Sequence, residues 1–154
     1  MIMEEEKKQF KKEIVGFYKK HGRHTLPWRK TTDAYKILVS EMMLQQTQVS
    51  RVIPKYELFL KRFPSVTILA KAPLSEVLRL WSGLGYNRRA KFLHESARHC
   101  VKYYAGVFPA DVALLEEFPG IGHYTARAVA TFSFNQPSVF IETNIRTVLL
   151  ILFL

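Results

Sequence analysis

The chain has a single cysteine, Cys100, among its 154 residues. One thiol excludes an intrachain disulfide and any four-cysteine cluster, and a lone cysteine reads as a small buried apolar residue. Long apolar runs are equally absent: none approaches the ~20 residues that cross a bilayer, so no membrane association is expected. Met1 to Lys12 is acidic and then lysine-rich, without the apolar stretch of a signal peptide, which makes the cytoplasm the expected compartment. The histidines (His21, His24, His94, His99 and His123) show no zinc spacing with cysteines or carboxylates. No segment alternates apolar and polar residues in the manner of a strand, and there is no internal repeat, low-complexity tract or evident linker.

Acidic residues are also in short supply. Thirteen Asp and Glu face 23 Lys and Arg, a net charge of +10. The basic residues cluster at Lys7-Lys8, Lys11-Lys12, Lys19 to Arg23, and Arg88-Arg89-Ala90-Lys91, which reads either as solvated helix faces or as the footprint of a polyanion.

What is present is helical periodicity. Stripes run through Phe10, Ile14, Phe17 and Tyr18, through Tyr35, Leu38, Val39 and Met42, and through Val49, Val52, Ile53, Tyr56 and Leu60. Further helices are predicted around Thr67–Lys71, Leu74–Trp81, Asn87–Tyr104 and Ala110–Glu117, punctuated by Pro64, Pro73, Gly106 and Pro109. The fold class is therefore all-α, at a length that fits one domain of ordinary size. Val148–Leu154 is seven apolar residues in a row with no polar closing turn. It reads as a core helix interrupted by a truncation, with uncovered apolar side chains that favour association.

The most informative segment is Leu114-Leu115-Glu116-Glu117-Phe118-Pro119-Gly120-Ile121-Gly122-His123-Tyr124-Thr125-Ala126-Arg127. A helical stretch enters Pro-Gly-Ile-Gly and resumes at once as an alanine-rich helix. Two glycines allow a sharp turn and bring peptide N–H groups and a helix N-terminus to the surface, a site for anions. On a basic chain that anion is a nucleic-acid phosphate; an ordinary glycine-capped αα-corner is the competing reading.

Two carboxylates stand out. Glu41 shares a helix face with Ile37, Leu38 and Leu44; a carboxyl on such a face is desolvated and kept protonated, as a general acid requires, unless it leans out to solvent. Glu142 precedes the last helix, where a cap or a partner for the helix dipole is the ordinary role, worth about 0.3–1 kcal/mol. A protonated and an ionised carboxylate together suit cleavage of a glycosidic bond.

Leu26-Pro27-Trp28-Arg29, Glu41-Met42-Met43-Leu44-Gln45-Gln46-Thr47-Gln48, Gly83-Leu84-Gly85-Tyr86, the Pro-Gly-Ile-Gly hairpin and Phe140-Ile141-Glu142-Thr143-Asn144-Ile145-Arg146 follow one another in an order and spacing that resemble the helix–hairpin–helix DNA glycosylases. Within that superfamily the adenine DNA glycosylases (MutY-like) are the most similar, and the resemblance covers roughly Leu26 to Arg146. It implies a six-helix barrel module over 28–134, with the hairpin at about 110–134, and a second helical lobe of which 1–27 and 138–154 are parts. It implies hydrolysis of the N-glycosidic bond of a flipped adenine opposite 8-oxoguanine or guanine, with double-stranded DNA carrying a mismatched or damaged base as partner. No obligate protein partner is implied, and a bacterial cell would place the protein on its nucleoid. A thymine or uracil mismatch glycosylase on the same scaffold, or a catalytically silent DNA-binding module, are the alternatives.

By the same resemblance Glu41 protonates the adenine and positions water, and Glu142 stands where the family has an Asp that stabilises the cationic sugar. That is a departure by one methylene, and it puts the rate in doubt because errors near 1 Å cost about a hundredfold. Tyr124 replaces the lysine of bifunctional relatives, which implies a monofunctional enzyme, and Asn144 completes the catalytic set. His24, Leu26, Trp28, Arg29 and Leu44 would line the adenine pocket. Gln45, Gln46, Leu84 and Tyr86 would meet the duplex, with Gln46 and Tyr86 wedged into it. Gly120, Gly122, His123 and Thr125 would grip phosphate, and the carbonyls of Glu116, Phe118 and Ile121 would hold a monovalent cation. In many relatives the second lobe carries four cysteines for an iron–sulfur cluster; this chain has neither that segment nor those cysteines, so no redox cofactor is expected.

Overall fold

The computed structural model describes residues 4–153, and among these it contains α-helices, one 3₁₀ turn and no strand. The chain divides into two compact units, Met1–Lys30 and Thr31–Leu154.

The first unit consists of α1 (Glu4–His21) and a 3₁₀ turn at Pro27–Arg29. Helix α1 opens on Glu4, Glu5 and Glu6 and closes on Lys19, Lys20 and His21, each charge opposing the helix-dipole end beside it. Its apolar stripe is not core: no α1 residue is buried, and Ile14, Phe17 and Tyr18 are about half exposed or more. The helix stops at Gly22, where a Cβ would lie 2.4 Å from the Tyr18 carbonyl oxygen and 2.7 Å from the His24 ring.

In the second unit the chain runs through α2 (Ala34–Leu44), α3 (Val49–Arg62), α4 (Val66–Lys71), α5 (Leu74–Trp81), α6 (Arg88–Tyr104), α7 (Val112–Glu116), α8 (His123–Phe134) and α9 (Thr143–Phe153). Several starts are set by side-chain caps: Asp33 accepts from Lys36 N, Ser65 from Ile68 N, and Asp111 from Ala113 N and Leu114 N. Helix α2 is central, packed by α3, α6 and α8, and it buries Tyr35, Ile37, Leu38, Val39, Ser40, Met42 and Met43. That near-continuous burial leaves Glu41 as a carboxyl in an apolar helix. The stripe predicted for α3 holds at Val52 and Tyr56, while at its end Phe59 rather than Leu60 is fully buried, edge-on against Phe63 and Trp81. Fully burying an aromatic of this kind contributes about 1.5–3 kcal/mol.

The expected helix over Val148–Leu154 is present as α9 through Phe153; Leu154 lies outside the described residues. Ile145, Val148, Leu150, Ile151 and Leu152 are about half exposed or more.

Candidate active site

Three separate parts of the second unit converge near Glu41. Helix α2 lies along α8, and Gln45 Nε2, just past the end of α2, donates to Thr125 Oγ1 at 3.4 Å. Packed this way, Glu41 loses most of its water, and burial pushes its carboxyl up from 4.5 to about 7. Tyr124, in the first turn of α8, is raised first by burial and then by the charges of Glu41 and Glu142. Both carboxylates therefore act on one phenol, although the hairpin and the α8–α9 segment separate them in sequence.

Glu142 is held by local contacts. Its carbonyl accepts from Arg146 N at 2.9 Å, the first turn of α9, while Oε2 accepts from Asn144 N and Oε1 from Asn144 Nδ2, both at 3.1 Å. Glu142 thus does cap α9, and Asn144 fixes its carboxylate from both sides. The segment before it is anchored to α8: Arg127 donates to Ser138 Oγ and to the Val139 carbonyl, and the Phe140 ring stands edge-on to Tyr124 and Phe132.

The hairpin between α7 and α8 is built asymmetrically. Gly120 has φ +75, and a Cβ there would sit 2.4 Å from Phe92 Cβ. Ser96 Oγ, also on α6, donates to the Pro119 carbonyl at 2.6 Å, so the turn is pressed onto α6. Gly122 differs from expectation: its φ of −87 is ordinary and a side chain would meet nothing within 4 Å. The sharp turn therefore rests on Gly120, whereas at Gly122 glycine leaves open space at the N-terminus of α8. His123 Nδ1 and Glu116 Oε1 are 2.6 Å apart and tie the two hairpin helices together. Thr125 is buried, with its side chain turned to Gln45. The Phe118 carbonyl accepts from Ile121 N at 3.0 Å, which leaves one lone pair for a cation.

A second pair of loops, Gln45–Gln48 and Ser82–Asn87, borders a cleft of about 1040 Å³ lined by Gln46, Gln48, Arg51, Arg79, Tyr86 and Asn87 among others. Gln46 (φ +53) and Tyr86 (φ +48) both adopt the left-handed conformation, and Tyr86 is 63% exposed. Non-glycine residues in that region are uncommon and require surrounding contacts to hold them. Leu84 between them is buried.

Those contacts come from Arg89, which lies in the basic run Arg88-Arg89-Ala90-Lys91 and yet is buried, while its neighbour Arg88 stacks on Phe92. The missed signal was spacing: Arg89 continues the inward face of α6 formed by Leu93, Ala97 and Cys100.

In the first unit, His24 Nε2 lies 3.0 Å from the Tyr18 carbonyl, its ring meets Tyr18 edge-on, and the Arg29 guanidinium lies over the same Tyr18 ring. Leu26 and Trp28 are buried.

An all-α unit with a glycine hairpin and a desolvated carboxyl on the helix packed beside it defines a helix–hairpin–helix protein. Residues 39–154 match the family model described as HhH-GPD superfamily base excision DNA repair protein, and the chain belongs to that superfamily. It is 48% identical over 137 residues to the adenine DNA glycosylase of Mycolicibacterium smegmatis, covering 88% of this chain and 46% of that protein. It is 44% identical over 141 residues to the adenine DNA glycosylase of Buchnera aphidicola subsp. Baizongia pistaciae, covering 92% of this chain and 40% of the relative. Among solved structures, a thermostable thymine-DNA glycosylase superposes with a TM-score of 0.86 at 31% identity, covering 92% of this chain and 65% of that one. The chain thus spans less than half the length of these two adenine DNA glycosylases.

Proposed function

We propose that the chain carries the acid–base centre of a monofunctional DNA glycosylase that removes adenine mispaired with 8-oxoguanine or guanine. The observation that carries this reading is Glu41: a carboxyl held near pKa 7 by burial, whose charge, like that of Glu142, acts on the Tyr124 phenol. The names of the relatives at 44% and 48% identity support adenine as the base.

In this reaction Glu41 donates its proton to a ring nitrogen of the flipped adenine. The C1′–N9 bond breaks, and its electron pair leaves with the base. Positive charge develops on the sugar beside the Glu142 carboxylate, which Asn144 holds in place. Water then adds its oxygen to C1′ and gives its proton to Glu41, restoring the acid. Tyr124 has no amine with which to form a Schiff base, so the strand is left uncut. Gln46 and Tyr86 enter the duplex and offset the unstacking of the flipped base. Phosphate docks on the open side of Gly122, against the unpaired N–H groups that begin α8.

A single-turnover panel of duplexes tests this. Adenine release opposite 8-oxoguanine or guanine is expected, with no covalent adduct trapped by borohydride; a trapped adduct would overturn the monofunctional assignment. Release of thymine or uracil would move the assignment to the mismatch enzymes, a second reading favoured by the similarity to the thymine-DNA glycosylase structure. Binding without release of any base would leave only a DNA-binding module.

Binding itself is expected to depend on salt. With a net charge of +10, duplex affinity should fall linearly with salt on a log–log plot, with a slope of about −0.9 for each phosphate neutralised. Titration by fluorescence anisotropy at several salt concentrations measures it, and a salt-independent affinity would remove phosphate docking from the reading.

A further inference from the structure

We propose that Arg89 is the positioning residue that holds the Gln45–Gln48 and Ser82–Asn87 loops together as one rigid double wedge. Its guanidinium sits between them. Nη1 donates to the carbonyls of Met42 (2.9 Å), Met43 (3.1 Å) and Gln45. Nη2 donates to Thr47 Oγ1 (3.1 Å) and to the carbonyls of Leu84 (3.2 Å) and Gly85 (3.1 Å). Its carbon also lies over the rings of Trp81 (5.6 Å) and Tyr86 (5.3 Å).

Two physical needs meet in this one group. The last carbonyls of α2 have no helical partners, and a cation at that end answers both their lone pairs and the dipole. The second loop turns through Gly83 (φ +91) and Gly85 (φ +75), which leaves its carbonyls facing inward without a ladder to join. A planar fork with donors on two nitrogens satisfies both sets at once; a lysine ammonium is a single point and reaches one set at a time. Additional ties run in parallel, from Thr47 Oγ1 to the Leu84 carbonyl (3.4 Å) and from Arg51 Nη2 to the Gly83 carbonyl (2.8 Å). Gln46 and Tyr86 lie one on each loop, both left-handed, so the guanidinium sets the spacing between the two side chains. Arg89 is too deeply buried to act on a duplex directly. Its effect on DNA rests on the reading that Gln46 and Tyr86 enter the duplex.

The test compares wild type with Arg89→Lys and Thr47→Val. Amide hydrogen exchange reads the loops without DNA, and single-turnover excision at saturating duplex reads the consequence. In Arg89→Lys, exchange at 45–48 and 83–87 is expected to accelerate together by about tenfold or more, while α4 and the second half of α6 keep wild-type rates. The excision rate at saturation should fall by about tenfold or more, with affinity for matched duplex within about twofold, because the loss is one of geometry rather than of phosphate contact. Thr47→Val removes one acceptor of the guanidinium and the tie to the Leu84 carbonyl, so it should loosen both loops, less than Arg89→Lys does, and it provides the reading if Arg89→Lys fails to fold. Unchanged exchange in both loops would overturn the proposal. So would an even acceleration across the whole unit with the excision rate preserved, since that describes a residue needed only for stability. Should the wild type release no base from any duplex, the glycosylase reading fails, and the exchange arm still decides whether one guanidinium holds both loops.

Discussion

Replacing Glu41 by Gln is expected to lower the single-turnover release of adenine by about 10²–10⁴-fold, the range of a general acid, while leaving duplex affinity within a few-fold. Glutamine keeps the shape and volume of the protonated carboxyl but has no acidic proton to give. The wild-type rate should fall as pH rises through about 7, where burial places this group.

The same group governs stability. Its ordinary value is 4.5 and its value in the fold is about 7, so between those limits the folded chain binds the proton that the unfolded chain has released. Its contribution is fully present below about pH 4.5 and is lost as pH rises through about 7, amounting to roughly 3 kcal/mol. Denaturant melts at pH 5 and pH 8 should show that loss in wild type, and Glu41→Gln should flatten it. A variant that excises at the wild-type rate, or that keeps the wild-type pH slope, would return Glu41 to the role of a solvated helix residue.

The second large effect separates the two hairpin glycines. Gly120→Val should destabilise the chain by about 3 kcal/mol or more: the left-handed conformation costs a branched residue about 1–2 kcal/mol, and forcing a side chain into Phe92 costs a further 1–3 kcal/mol. For a protein of this size the melting temperature should drop by about 10 °C. Gly122→Val meets open space at an ordinary φ and should cost no more than about 1 kcal/mol, from a poorer N-cap. It should instead weaken binding to every duplex alike, because its side chain would occupy the face on which phosphate docks. Equal melting temperatures for the two variants would contradict the asymmetry of the hairpin.

In the sequence those two glycines are equivalent. Pro119-Gly120-Ile121-Gly122 announces a turn, but which glycine is pressed against a neighbour depends on α6 lying beneath it. The same holds for the apolar stripe of α1, whose periodicity marks one helix face that is not buried. Periodicity states which side chains share a face, and only a packing partner states whether that face is covered. For Glu41, by contrast, the apolar neighbours on its own helix were enough to anticipate desolvation, because α2 is enclosed on nearly every side.

Helix positions, the all-α class and the candidate carboxylates were legible from the chain alone, because each depends on residues within a few positions of one another. Three things were not: the placing of Glu41 and Glu142 about one phenol, the inward turn of Arg89, and the pairing of the loops that bear Gln46 and Tyr86. Each requires segments distant in sequence to meet. A charged side chain such as Arg89 enters the interior only where those segments, once packed, present enough orphaned carbonyls to replace its water.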